Sequence, residues 1–202
     1  MHLIVYLHGF KSSPNSYKAR LTHQAVQALQ NNGHELDWFC PQLPPSPKAA
    51  MTMVQAEINQ RTWNKLSLIG SSLGGYYATY LAEQYPSRVT LLNPAIEPAR
   101  DLEAYIGKQK AWHSDEDFHF LPEYIDELKQ LYIQGITQAE RYLLVATKGD
   151  EVLDWREMVS KYPQARHWIL EASDHAISEY ADYVDQVVAF HLETSLTQRN
   201  PT

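Results

Sequence analysis

The stretch Leu66-Ser67-Leu68-Ile69-Gly70-Ser71-Ser72-Leu73-Gly74-Gly75-Tyr76-Tyr77-Ala78-Thr79-Tyr80-Leu81-Ala82 decides the fold. An apolar run, a Gly-x-Ser-x-Gly pentapeptide and a helical run follow one another without a spacer, so a strand, a tight turn and a helix are predicted around Ser72. A serine hydroxyl is a weak nucleophile. Such an elbow makes it useful by holding Oγ out on a strained turn at a helix N-terminus, open to a base and close to backbone N–H donors. Gly70 and Gly74 keep Cβ atoms out of the crowded turn. By itself, a Gly-Ser-rich turn after a strand is common punctuation, so the rest of the chain has to supply the other parts of a site.

Outward from this elbow, short β-branched or aromatic runs alternate with helical stretches: Leu3 to Leu7, Leu36 to Cys40, Leu66 to Ile69, Val89 to Leu92, Tyr142 to Ala146 and His167 to Leu170. This alternation predicts an α/β fold, a mostly parallel open sheet of about six strands flanked by helices. The runs are apolar at successive positions, as expected where both sheet faces are covered. Leu21, Ala25, Ala28 and Leu29 mark one helical face, stopped by Asn31-Asn32-Gly33, and Tyr180, Val184, Val187, Val188 and His191 mark the last helix. With 202 residues, 44% of them hydrophobic, the chain is expected to be a single domain, 1–202.

Two segments break the rhythm. Pro41-Gln42-Leu43-Pro44-Pro45-Ser46-Pro47 is a stiff extended loop at the carboxyl end of the second strand, the edge where open α/β sheets bind ligands. The stretch 94–141 is far longer than an ordinary strand connection. Within it, Tyr124, Ile125, Leu128, Leu131 and Tyr132 trace an amphipathic helix opened by Pro122. The stretch reads as a cap over the site, the alternative being a crossover helix with a long loop.

The partners for Ser72 lie further along. Asp150, in Thr147-Lys148-Gly149-Asp150-Glu151-Val152-Leu153-Asp154, follows the fifth strand, and His175, in Glu171-Ala172-Ser173-Asp174-His175-Ala176, follows the sixth. Nucleophile, acid and base thus occur in the order Ser, Asp, His, each at the carboxyl end of a strand. Asp150 could instead serve as a helix N-cap, with Asp154 the reserve acid. After the first strand, His8-Gly9-Phe10 can present the N–H of Phe10 to a developing oxyanion beside the N–H of Leu73, with His8 bracing the loop. Tyr76, just past the elbow, is the candidate substrate-binding aromatic, and Tyr77, Tyr105, Trp112, Phe118 and Phe120 are further aromatics that could line a pocket or fill the core.

Composition narrows the partners. Seventeen basic against 24 acidic residues, a formal net charge of -7, disfavours nucleic acid or an anionic membrane. The lone Cys40 rules out an intrachain disulfide and reads as a small core residue. No cationic leader precedes Leu3 to Leu7, so a cytoplasmic location is expected. The cluster His113-Ser114-Asp115-Glu116-Asp117-Phe118-His119 holds ligand types that suit zinc or manganese but reads as a solvated surface, and no metal site is expected.

Leu7-His8-Gly9-Phe10 with Ser12-Ser13-Pro14, Pro41-Gln42-Leu43-Pro44-Pro45, the elbow through Thr79, Asn93-Pro94-Ala95 and Gly149-Asp150-Glu151-Val152-Leu153-Asp154 together resemble the YqiA-type esterases, small bacterial members of the α/β-hydrolase superfamily. The resemblance spans nearly the whole chain. It implies a serine carboxylic-ester hydrolase with Ser72, Asp150 and His175 in the three catalytic roles, a preference for short acyl chains, and a small-molecule ester or thioester as substrate. An acyl-serine mechanism needs no metal or organic cofactor. An acyl thioesterase on the same triad, or a hydrolase-fold binding protein that has lost catalysis, are the competing expectations. One position departs from the pattern: Asp174 stands before the histidine where a neutral Asn-like residue is expected. As a neighbouring carboxylate it would favour the protonated ring if the two side chains approach.

Overall fold

A computed structural model of the chain describes residues 1–110 and 117–193. In chain order its elements are β1 (His2–Leu7), α1 (Tyr17–Asn31), β2 (Leu36–Phe39), α2 (Pro47–Gln60), β3 (Lys65–Ser71), α3 (Leu73–Ala82), β4 (Arg88–Leu92), α4 (Pro98–Asp101), β5 (Gly107–Lys110), β6 (Asp117–Phe120), α5 (Glu123–Gln130), β7 (Tyr142–Thr147), α6 (Trp155–Lys161), β8 (Arg166–Leu170) and α7 (Val184–Leu192).

Six strands form one sheet in the order β2-β1-β3-β4-β7-β8, and every pairing in it is parallel. The period-2 geometry of a strand sends neighbouring side chains to opposite faces. Along β1, Leu3, Val5 and Leu7 enter a core shared with residues of α2, α3, α5 and α6, while Ile4 and Tyr6 enter a second core shared with α1 and α7. Helices cover both faces, which is why the strands are apolar without interruption. All six sequence-expected strands are present.

The chain builds β2 on one side of β1 and β3 on the other, so the strand order reverses between β1 and β3. In open α/β sheets ligands bind outside the carboxyl ends of the strands at such a switch point. The His8 loop and Ser72 leave the sheet there, from the paired strands β1 and β3.

Three local readings change. The buried face of α1 is Ala19, Thr22 and Val26. Leu21, Ala25 and Leu29 pack at its margin and Ala28 is exposed, because α7 lies across a face rotated from the one the apolar spacing suggests. In 94–141, β5 and β6 pair as an antiparallel hairpin that the polar run Gly107-Lys108-Gln109-Lys110 did not signal. Helix α5 buries Ile125 and Leu128 as its spacing predicts, but it stops before Tyr132, which is exposed. Cys40 is partly buried against the second core, which pushes its thiol up to about 12. Among the described residues, no helix is long and apolar enough to cross a membrane.

Candidate active site

Ser72 is the single residue between β3 and α3, with φ 55° and ψ -121°. This left-handed backbone is strained for an L side chain by on the order of 1–3 kcal/mol. Crowding around the elbow enforces it. A Cβ on Gly70 would lie 2.2 Å from Gly74 O, and one on Gly74 would lie 1.9 Å from Leu7 O, so β1, the elbow and the helix can meet only through glycines. The Ser72 N–H donates to Leu92 O at 3.0 Å, and its carbonyl accepts from Gly75 N at 2.9 Å and Ala95 N at 3.0 Å. Ser46 and Asp154 spend their side chains capping α2 and α6. Ser72, also at a helix N-terminus, makes no side-chain capping bond, so its hydroxyl is not spent on the helix amides.

His175 follows β8. Its Nδ1–H donates to Asp150 Oδ2 at 2.8 Å; since a carboxylate oxygen only accepts, Nδ1 carries a proton, and the neutral ring has its lone pair on Nε2. Asp150 Oδ1 accepts from Val152 N and Leu153 N, both at 2.8 Å. The Asp150 side chain is 0% exposed and that of His175 15%, so the carboxylate is shielded while the ring reaches the surface of a cavity. Asp154 is the N-cap of α6, accepting from Arg156 N at 2.9 Å.

Gly9, Phe10, Ser72, Leu73, His175 and Tyr105 line one cavity of about 670 Å³, together with Pro98 and Leu102 of the 94–141 stretch. Ser72 and His175 thus share this space, and no direct hydrogen bond joins them among the described residues. Apo hydrogen bonds of this kind are often long and tighten only around substrate. The N–H groups of Phe10 and Leu73 donate to no backbone carbonyl among the described residues.

His8 is a brace. Its Nε2 accepts from Leu43 N at 3.1 Å, so Nδ1 carries the proton and donates to Gly9 O at 3.0 Å. One buried ring thereby ties the loop after β1 to the proline-rich loop after β2. Phe10 packs edge-on against Tyr105, Phe118 and Phe120, with ring centroids 5.6, 5.9 and 5.1 Å apart, and stands between the Ser72 cavity and a second one of about 540 Å³ that Phe118 and Tyr77 help to line.

Tyr76 sits elsewhere than expected. It is 6% exposed, its hydroxyl donates to Leu128 O at 2.6 Å, and it lies outside the lining of the Ser72 cavity; α3 turns it toward α5. Phe120 is core. Trp112 and the His113 to Glu116 part of the acidic cluster lie outside the described residues, and Asp117 pairs with Lys108 at 2.6 Å. Asp174 accepts from Ser178 N at 2.9 Å and Ser178 Oγ at 2.6 Å, bonds that hold its carboxyl below the usual range. Its carboxylate therefore caps the turn after His175 and forms no bond to the ring.

Two residues here were missed from sequence. Asn93 donates from Nδ2 to Thr147 Oγ1, Asp174 O and His175 O, and Lys18 donates from Nζ to His175 O and Ala176 O. An Asn-Pro step at the carboxyl end of a strand was a usable signal for Asn93. A lysine in the first turn of a helix reads as solvated, so Lys18 had none.

The fold and this elbow define the class: the chain has the α/β-hydrolase fold. It belongs to the family described as "Uncharacterised protein family (UPF0227)", the YqiA family, whose model matches residues 3–192. Among solved structures it is similar to a protein from Agrobacterium vitis S4 designated a hydrolase, at 15% identity and TM-score 0.74, over 95% of this chain and 88% of that one. It is also similar to Est1E from Butyrivibrio proteoclasticus with ferulic acid bound, at 12% identity and TM-score 0.71, over 95% and 90%. The metagenome-derived lipolytic enzymes LipS and LipT supply a third match at 16% identity and TM-score 0.64, over 95% and 94%.

Proposed function

We propose that this protein is a serine esterase that hydrolyses small carboxylic esters through an acyl-serine intermediate. One observation carries the reading: a serine held at φ 55° with its hydroxyl unspent shares a cavity with a histidine whose other ring nitrogen is held by a shielded carboxylate. The Nε2 lone pair of His175 accepts the Ser72 proton as Oγ attacks the acyl carbon, and the ring then protonates the departing alkoxide. Asp150 holds the tautomer and stabilises the imidazolium. Phe10 and Leu73 N–H groups receive the oxyanion, each worth about 3 kcal/mol of transition-state stabilisation. A water activated by His175 releases the acid. The 94–141 stretch acts as the cap, its Pro98, Leu102 and Tyr105 bounding the acyl and alcohol space. Est1E with ferulic acid bound and lipolytic enzymes among the similar structures support the reaction class.

A fluorophosphonate probe tests this. Wild type is expected to be labelled stoichiometrically and to hydrolyse short nitrophenyl esters, while Ser72→Ala does neither. A folded wild type that stays unlabelled defeats the proposal. A parallel series of acyl thioesters separates an oxygen-ester enzyme from a thioesterase.

A further inference from the structure

Ser72 and His175 lie on separate loops, 103 positions apart by their numbers, with no direct bond between them to set their spacing. The chain between β4 and α4 supplies the connection. Leu92 O accepts from Ser72 N and Ala95 N donates to Ser72 O, both at 3.0 Å, so this bend holds the backbone of the elbow on both sides. Between those two contacts stands Asn93, 0% exposed, with φ 43°. Asn tolerates this left-handed conformation better than most residues, and the bend sends its side chain the other way, toward the histidine loop. There Nδ2 donates to His175 O and Asp174 O, both at 3.2 Å, and to Thr147 Oγ1 at 3.0 Å. Oδ1 accepts from Thr147 N at 2.9 Å, fixing the amide so that its NH₂ faces the loop, and Thr147 Oγ1 in turn donates to Asp174 O at 3.1 Å.

We infer that Asn93 is a positioning residue that sets the distance between nucleophile and base, its backbone neighbours holding Ser72 and its amide holding the main chain of His175. The inference rests on the esterase reading above. The base is gripped from other sides as well: Lys18 Nζ donates to His175 O at 3.3 Å and Ala176 O at 2.9 Å, and His175 N donates to Glu151 Oε2 at 3.0 Å. Burial lowers the Lys18 ammonium to about 8, against the opposing pull of Asp150 and Asp174. Of these groups, Asn93 is the one whose segment also holds Ser72, and it couples the two loops. Displacing a reacting group by about 1 Å can cost about 100-fold in rate.

Asn93→Gly is the test, because glycine accepts the φ of this position and removes only the amide. The expected result is a folded variant whose kcat on a nitrophenyl ester falls about tenfold or more while KM stays within about twofold, with fluorophosphonate labelling slowed in parallel. A folded variant with a smaller fall in kcat, or with the loss confined to KM, overturns the inference. Should Asn93→Gly fail to fold, Thr147→Val, which removes the hydroxyl shared by Asn93 and Asp174 O, is read by the same criterion of a kcat loss without a KM change. A wild type inert to the probe removes both readings; a reactive wild type with an unimpaired variant removes only this one.

Discussion

At the amino-terminal half of the sheet His2 shares a 2.8 Å hydrogen bond with Ser67 Oγ and His191 a 2.9 Å one with Thr90 Oγ1, whereas beyond the carboxyl end His175 donates to a carboxylate. The first two rings are buried at 8% and 2% exposure, each hydrogen-bonded to a hydroxyl. Burial pushes His2 down to about 4 and His191 down to about 3, so both are neutral, structural groups at physiological pH. His175 has a carboxylate partner and lines a cavity. The same residue type packs in a core at one end and pairs with a carboxylate beside a cavity at the other, because its partner and its access to solvent differ.

Removing the anion collapses the contrast most severely. Asp150→Asn leaves the geometry but mis-sets the His175 tautomer, and kcat is expected to fall about 10⁴-fold, measured as ester turnover by protein whose circular dichroism is unchanged.

Next in size is a change to the scaffold that the amino-terminal half does not need. Gly74→Ala forces a methyl group against Leu7 O, and the expected loss is about 3 kcal/mol or more in urea unfolding, or no folded protein at all.

A smaller effect sharpens the other side of the comparison. In the unfolded chain both rings take up protons below about 6.5, yet in the fold His2 stays neutral to about 4 and His191 to about 3. The unfolded state therefore binds more protons in that window, and stability falls as the pH drops through it. His191→Gln keeps a partner for Thr90 and does not titrate. It should spare about 1–2 kcal/mol of the wild-type loss between pH 6.5 and 5, read from denaturant midpoints.

The smallest effect expected is at Asp174. Its carboxylate is engaged by Ser178, so Asp174→Asn should leave kcat/KM at neutral pH within about twofold of wild type, with a modest loss in thermal stability from the weakened turn cap.

The strands, the elbow and the chain order of Ser72, Asp150 and His175 were legible because each is a local signal: an apolar run, a turn that demands glycine, a polar residue just past a strand. Tyr76 misled for the same reason. Its place one turn beyond the nucleophile suggested the cavity, but which way a helix faces is decided by its neighbours, and here α5 took the hydroxyl. Lys18 and Asn93 act on carbonyls 157 and 82 positions away, contacts that no periodicity encodes.

The sequence by itself determined the sheet-and-helix alternation, the strained turn at Ser72 and the identity of the groups able to share a proton. These follow from side-chain shape, backbone freedom and intrinsic acidity, all properties of a residue and its near neighbours. Only the tertiary structure decided which histidine is kept neutral in a core and which faces a carboxylate beside a cavity, and how the bend at Asn93 holds two loops together. Desolvation and hydrogen-bond geometry exist only once distant segments have packed.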